Sequence, residues 1–161
     1  MFILARAVVY ATLFVGFLLV FLPARVLEWS GIRTPPLGAP QIVGAIIALT
    51  GAAIAVSCVI AFAFIGRGTP APFDPPRQLV VRGPYRFVRN PMYLGAATAL
   101  FGAALYYESL ALATYMLVFL LVAHVFVTVY EEPTLRRTFG AAYEEYCRHV
   151  GRWWPRRGAR G

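Results

Sequence analysis

An all-α, polytopic membrane fold with about four transmembrane helices is predicted by three features of this 161-residue chain. Hydrophobic residues make up 60% of it and charged residues 14%, more apolar surface than a soluble single domain hides or tolerates at its surface. The apolar residues fall into four long runs rather than into alternating strand patterns. The basic residues are all arginine and cluster between or after those runs, where the loops of membrane helices carry them.

The first run, residues 2–22, is broken only by Arg6 near its start, where a long stem can snorkel to the interface. No small-x-small cleavage site follows Leu22, so it reads as an anchored helix and not as a signal peptide. The second run, 41–65, carries no charge. The third, 91–107, is short for a hydrocarbon core of about 30 Å, and the fourth, 109–130, is full length. Small residues Gly44, Ala48 and Gly51 in the second run, and Gly95, Ala99, Gly102 and Ala103 in the third, would let those two helices pack closely.

Between the second and third runs lies a connector, 67–90. Its stretch Thr69-Pro70-Ala71-Pro72-Phe73-Asp74-Pro75-Pro76 excludes a regular helix, and Gln78-Leu79-Val80-Val81 reads as a short strand-like segment ahead of a turn at Gly83-Pro84. Asn90 and Pro91 make a good N-cap and first residue for the third helix. Beyond the fourth run, Pro133 is expected to begin a cytoplasmic amphipathic helix with Leu135, Phe139, Ala142, Tyr143 and Tyr146 on one stripe. The whole reads as a single membrane domain, 1–161. It divides into an N-terminal helix pair (1–66), the connector (67–90), a helical hairpin (91–130) and a tail that completes a site (131–161).

The charge sets an orientation. Arg67, Arg77, Arg82, Arg86 and Arg89 lie in the connector and Arg136, Arg137, Arg148, Arg152, Arg156, Arg157 and Arg160 in the tail, so the positive-inside bias places connector and both termini in the cytoplasm. An integral protein of the inner or plasma membrane follows, its net charge of +8 drawn to anionic headgroups. These arginines flank helices and form no separate basic domain, which argues against nucleic acid as a partner. Cys58 and Cys147 have neither disulfide nor metal-site spacing. No acidic residue sits inside a run, as a small coupled transporter would need.

Two places carry chemistry. One is Arg82-Gly83-Pro84-Tyr85-Arg86-Phe87-Val88-Arg89-Asn90-Pro91-Met92-Tyr93-Leu94-Gly95; the other is Glu131-Glu132, at the far end of one predicted hairpin and therefore at the same membrane face. Read plainly, the first is a helix start with arginine anchors and the second a solvated ion-paired couple. Read chemically, an adjacent carboxylate pair beside a low-dielectric region can orient a cationic or hydroxyl-bearing cofactor. His124, Thr128 and Glu131 stand at i, i+4 and i+7, on one helix face. His124 and Thr128 are then candidates to face a substrate, and His124 is the candidate base if an acceptor must lose a proton.

The order Gly-Pro-Tyr, Asn-Pro-x-Tyr-x-Gly, a helical hairpin, Glu-Glu, then Phe139-Gly140, Tyr143, Tyr146, Val150, Arg152-Trp153 and Pro155 resembles the isoprenylcysteine carboxyl methyltransferase and phospholipid methyltransferase superfamily of membrane enzymes. The likeness covers about 78 to 155. It implies S-adenosyl-L-methionine as methyl donor, in a cytoplasmic pocket of the C-terminal half covered by the tail, and a lipid or other apolar acceptor arriving from the bilayer. By the same resemblance the cofactor residues are Arg77, Gln78, Leu79 and Val80 from the strand-like segment, Tyr85, Asn90, Pro91, Met92 and Tyr93 from the motif, and Glu131 with its neighbour Glu132. Asn90 stands where many relatives have His, which fits binding better than proton transfer. Val127 stands where the prenylcysteine enzymes place a substrate-contacting Arg. A broader likeness to membrane sterol reductases keeps NADPH-dependent reduction as the alternative, with a non-catalytic transporter or scaffold behind it.

Overall fold

The computed structural model describes residues 16–66 and 78–156. A π turn at Phe17–Phe21 leads into α1 (Leu22–Trp29), and α2 (Ala39–Ala61) ends in a second π turn, Phe62–Gly66. A 3-10 turn, Gly83–Arg86, precedes α3 (Pro91–Tyr106). Helix α4 (Leu110–Phe126) runs through a third π turn, Val127–Glu131, into α5 (Glu132–Phe139), and α6 (Ala141–His149) follows. Most of the first apolar run, the proline-rich stretch of the connector and Arg77 lie outside the described residues.

Two of the π turns have the same cause. Proline lacks an N–H and its ring collides with the carbonyl four residues back, so a helix widens by one residue to pass it. Just before Pro23 the N–H of Leu22 bonds the carbonyl of Phe17, and just before Pro133 the N–H of Glu132 bonds that of Val127, each five residues back. The expected break after Tyr130 is therefore absent. Pro133 bends the register of one helix and does not begin another, and Leu110–Phe139 forms a continuous stretch of 30 residues.

Among the described residues, two helices are long and apolar enough to cross a membrane, Ala39–Ala61 and Leu110–Phe139, each containing an 18-residue window with a mean hydropathy of 2.4. Helix α3 has 16 residues, about 24 Å at the helical rise, and is shorter than a typical core. Leu49, Val56 and Ile60 on α2, and Leu117, Leu121 and Val125 on α4, are exposed, as the apolar faces of helices in lipid are.

The closest packing joins α2 to α3, through the small residues expected to do so. A Cβ on Gly51 would strike the backbone N of Ala99 and lie 2.5 Å from the Gly95 carbonyl; one on Gly102 would strike the backbone of Ala48 and lie 2.6 Å from the Gly44 carbonyl. Backbone meets backbone, so no side-chain rotation can relieve an added methyl. Gly51→Ala is expected to cost about 1–3 kcal/mol, read as a lower melting temperature in detergent. At the end of the pair remote from the site, the buried Gln41 amide donates to the Tyr106 carbonyl (3.1 Å) and to Glu108 Oε1 (2.9 Å), and buried Ser109 caps α4 through the N–H of Leu112.

The segment from Gln78 to Val81 forms no strand. A strand needs a neighbour for its ladder, and the bridge that does form is a parallel one between Val88 and Gly151, further along the chain. Val80 instead packs in a small core with Cys58, Ala61 and Tyr85, flanked by Phe62 and Met92. That core fixes the start of the motif against the end of α2.

Candidate cofactor site at the end of the hairpin

Helix α3 starts at Pro91, so Tyr93 lies in its first turn and faces the π turn where α4 passes into α5. The Tyr93 hydroxyl donates to Glu131 Oε2 at 3.1 Å. Among the described residues Glu131 forms no ion pair, which leaves a carboxylate held by one phenol in a partly enclosed place. Such a group can still accept from hydroxyls or face a cation.

Its neighbour is committed differently. Glu132 is buried and takes a two-bond fork from Arg152, Nε to Oε1 at 2.7 Å and Nη2 to Oε2 at 2.9 Å, with Arg89 Nη1 3.2 Å from Oε1. Paired guanidinium and carboxylate forks are among the stronger polar contacts available to a protein. The Arg89 side chain is 11% exposed and also reaches Cys147 Sγ at 2.6 Å and the Tyr143 hydroxyl at 3.5 Å. Two adjacent glutamates thus have separate partners: Glu132 meets Arg89 of the connector and Arg152 of the tail, and Glu131 meets Tyr93.

The tail folds back over this end. After α5, Gly140 takes φ +49, a conformation that favours glycine, and turns the chain into α6. The Arg89 N–H then bonds the Gly151 carbonyl (2.9 Å), Asn90 Nδ2 bonds the Arg152 carbonyl (3.2 Å), and the Tyr146 hydroxyl bonds the Tyr85 carbonyl (2.6 Å). Asn90 precedes α3 as expected, but its side chain makes no cap bond and holds the tail instead. Trp153 crosses to α4, where its Nε1–H donates to His124 Nδ1 at 3.1 Å and its ring meets Tyr93 edge-on at 6.4 Å. Neutral His124 in this arrangement carries its proton on Nε2.

Burial pushes the phenols of Tyr143 and Tyr146 upward, helped for Tyr143 by nearby Glu132. A raised phenol stabilises the docked tail below the ordinary tyrosine value of about 10 and loses that contribution as pH climbs toward the docked value. Alkaline titration is expected to release the tail, seen as a change in tryptophan fluorescence, and Tyr143→Phe to flatten the pH dependence.

Of the residues that the sequence singled out, Tyr85, Asn90, Pro91 and Glu132 are buried, and Met92, Tyr93 and Glu131 are half-buried around the same end. Gln78 is exposed and Leu79 half-buried, while Val80 is enclosed in the small core. The Thr128 hydroxyl turns back to the carbonyls of His124 (2.8 Å) and Val125 (3.0 Å). The structure adds Arg89, Arg152 and Trp153 as the residues that join connector, helix and tail. For Arg152 and Trp153 the signal in the sequence was the fixed order of the tail motif; Arg89 read as a headgroup anchor.

The family model described as phospholipid methyltransferase matches residues 39–142, from the start of α2 into α6. The chain belongs to the phospholipid methyltransferase family. No curated protein and no solved structure matches the chain. The family match takes in Tyr85, Asn90, Tyr93, Glu131 and Glu132, so the polar end of the hairpin lies within the family's own portion. Arg152 and Trp153, which close over it, lie beyond the matched residues.

Proposed function

We propose that this member of the phospholipid methyltransferase family is an integral membrane, S-adenosyl-L-methionine-dependent methyltransferase that modifies a lipid or other apolar acceptor arriving from the bilayer. The observation that carries the reading is the Tyr93–Glu131 pair: a carboxylate without an ion pair among the described residues, brought by the fold to the place where motif, helix α4 and tail converge. Glu131 would hold the donor's hydroxyl or ammonium groups. Tyr93 fixes the rotamer of that carboxylate, and the Asn90 and Arg89 contacts seat the tail that keeps water out.

S-adenosylmethionine when bound supplies a methyl group on a sulfonium, whose positive charge is lost as the methyl–sulfur bond breaks and the bond to the acceptor forms. The protein's task is then alignment and exclusion of water, for which two anchored walls and a folded tail suffice. We assign His124 to seating Trp153, since the indole already occupies Nδ1; service as a base would require Trp153 to move away. The arginine-rich end faces the cytoplasm and its anionic headgroups in this reading. Calorimetry on the purified, folded protein tests it: saturable binding of S-adenosylmethionine is expected, and binding of NADPH in its place would turn the assignment to a reductase.

A further inference from the structure

Trp153 is fixed by two contacts. Its Nε1–H donates to His124 Nδ1 at 3.1 Å, and its ring meets edge-on the ring of Tyr93, whose hydroxyl holds Glu131. Contacts from His124 through Trp153 and Tyr93 to Glu131 therefore link the end of α4 to the carboxylate of the candidate cofactor site. Upstream of Trp153 the tail is fastened separately, by the Arg152 fork on Glu132, the Asn90 bond to the Arg152 carbonyl and the Arg89 bond to the Gly151 carbonyl. Losing the His124 contact would free the indole and leave the rest of the tail docked.

That contact depends on the protonation of His124. An indole nitrogen only donates, so its partner must offer a lone pair; neutral imidazole has one acceptor nitrogen and imidazolium has none. A second proton on His124 would set N–H against N–H, and histidine is the side chain whose ordinary change of charge falls between pH 5 and 8. His124 is exposed and its partner stands in the tail between Arg152 and exposed Trp154, so the contact lies within reach of protons from the water. The other titratable and charged groups about it are Tyr93 of α3 with Glu131 of the π turn, and Arg152 of the tail with Glu132 and Arg89; each set is bonded within itself. None of them has to change charge for the indole to be released.

Resting on the methyltransferase reading above, we infer that His124 is a positioning residue that acts through Trp153 as a proton-operated latch. With His124 neutral the indole is seated beside Tyr93 and the bound donor is retained; with His124 protonated the indole swings away and the donor exchanges. Exchange past a fastened tail needs a part that moves without undoing the cluster around Glu132, and an indole held by a single hydrogen bond is such a part. Acid thus acts on the indole alone, whereas the alkaline release expected from Tyr143 acts on α6.

The test uses the full-length protein in detergent with nitrogen-15 in its tryptophans, where each indole N–H gives its own magnetic resonance signal and Trp153→Phe identifies that of Trp153. Between about pH 8 and 5.5 the Trp153 signal is expected to move while those of Trp29 and Trp154 stay. His124→Asn, whose amide oxygen takes the place of Nδ1 and does not titrate, holds the signal near its alkaline position throughout. Dissociation of S-adenosylmethionine from the wild type, followed by stopped flow, should be roughly three- to tenfold faster at the acid end, the scale of one neutral hydrogen bond. Trp153→Phe, which keeps a ring and loses the donor, should show the fast rate at both ends. A Trp153 signal that stays still, or one that moves equally in His124→Asn, would overturn the latch. So would an acid acceleration that is absent from the wild type or undiminished in His124→Asn, the latter by assigning it to the carboxylates. A wild-type protein that binds no S-adenosylmethionine fails the methyltransferase reading instead, while the indole titration still decides whether His124 controls Trp153.

Discussion

Replacing Glu131 by alanine is expected to abolish labelling of membrane lipids by methyl-labelled S-adenosylmethionine while insertion and melting stay near wild type. The two halves of that expectation have different causes. Bonds to a charged group contribute about 1.5–3 kcal/mol each, so losing one of them costs the cofactor roughly ten- to 150-fold in affinity, and losing two costs more. Stability is little affected because Glu131 forms no ion pair among the described residues and is held there by one hydrogen bond, from the neutral Tyr93 phenol. Glu131→Gln separates charge from geometry: it keeps an acceptor oxygen for Tyr93 but removes the negative charge, and should fold as the wild type does without recovering affinity. Tyr93→Phe should fall between, with a loss of about tenfold or less, the scale of one neutral hydrogen bond. Unaltered cofactor affinity in Glu131→Ala would remove Glu131 from the site.

The neighbouring substitution is expected to act on the fold. Glu132→Ala leaves Arg89 and Arg152 without their shared carboxylate; breaking a buried pair from one side costs about 3–5 kcal/mol, because an uncompensated charge stays behind. The melting temperature in detergent should drop, and protease should cut the tail beyond α6 where the wild type resists. Cofactor binding would be lost along with the tail. Arg152→Leu should cost less, since Arg89 still faces Glu132 and the Arg152 side chain is already 33% exposed. If Glu132→Ala melts and resists protease as the wild type does, the three-residue cluster does not hold the tail. The contrast between adjacent glutamates, one altering binding and the other stability, is the sharpest test of how the pair is divided.

Much of this was legible in the linear chain for local reasons. Apolar runs of helical length report on lipid contact whatever they pack against, and Gly44, Gly51, Gly95 and Gly102 announce a close helix pair because a missing Cβ is useful there and nowhere else in a helix. Pro91 marked the start of α3 for the same reason, its absent N–H being one that no helix needs at that position. Pro133 misled, since the same residue that often starts a helix can be absorbed inside one by a π turn. The strand-like reading of Gln78–Val81 failed because β-branched residues favour a strand only where another strand is present to pair with.

By itself, then, the sequence determined a helical membrane protein, the order of its runs, and the two polar stretches worth bringing together. The tertiary structure alone decided how those stretches are shared out: Glu132 to Arg89 and Arg152, Glu131 to Tyr93, Asn90 to the Arg152 carbonyl, and Leu18 to Tyr115 across an apolar bundle. Hydrophobic periodicity is a property of neighbours along the chain. A buried polar group, in contrast, must take whichever partner the fold delivers from far away in sequence, because leaving it unpaired in a low-dielectric interior costs more than almost any local preference.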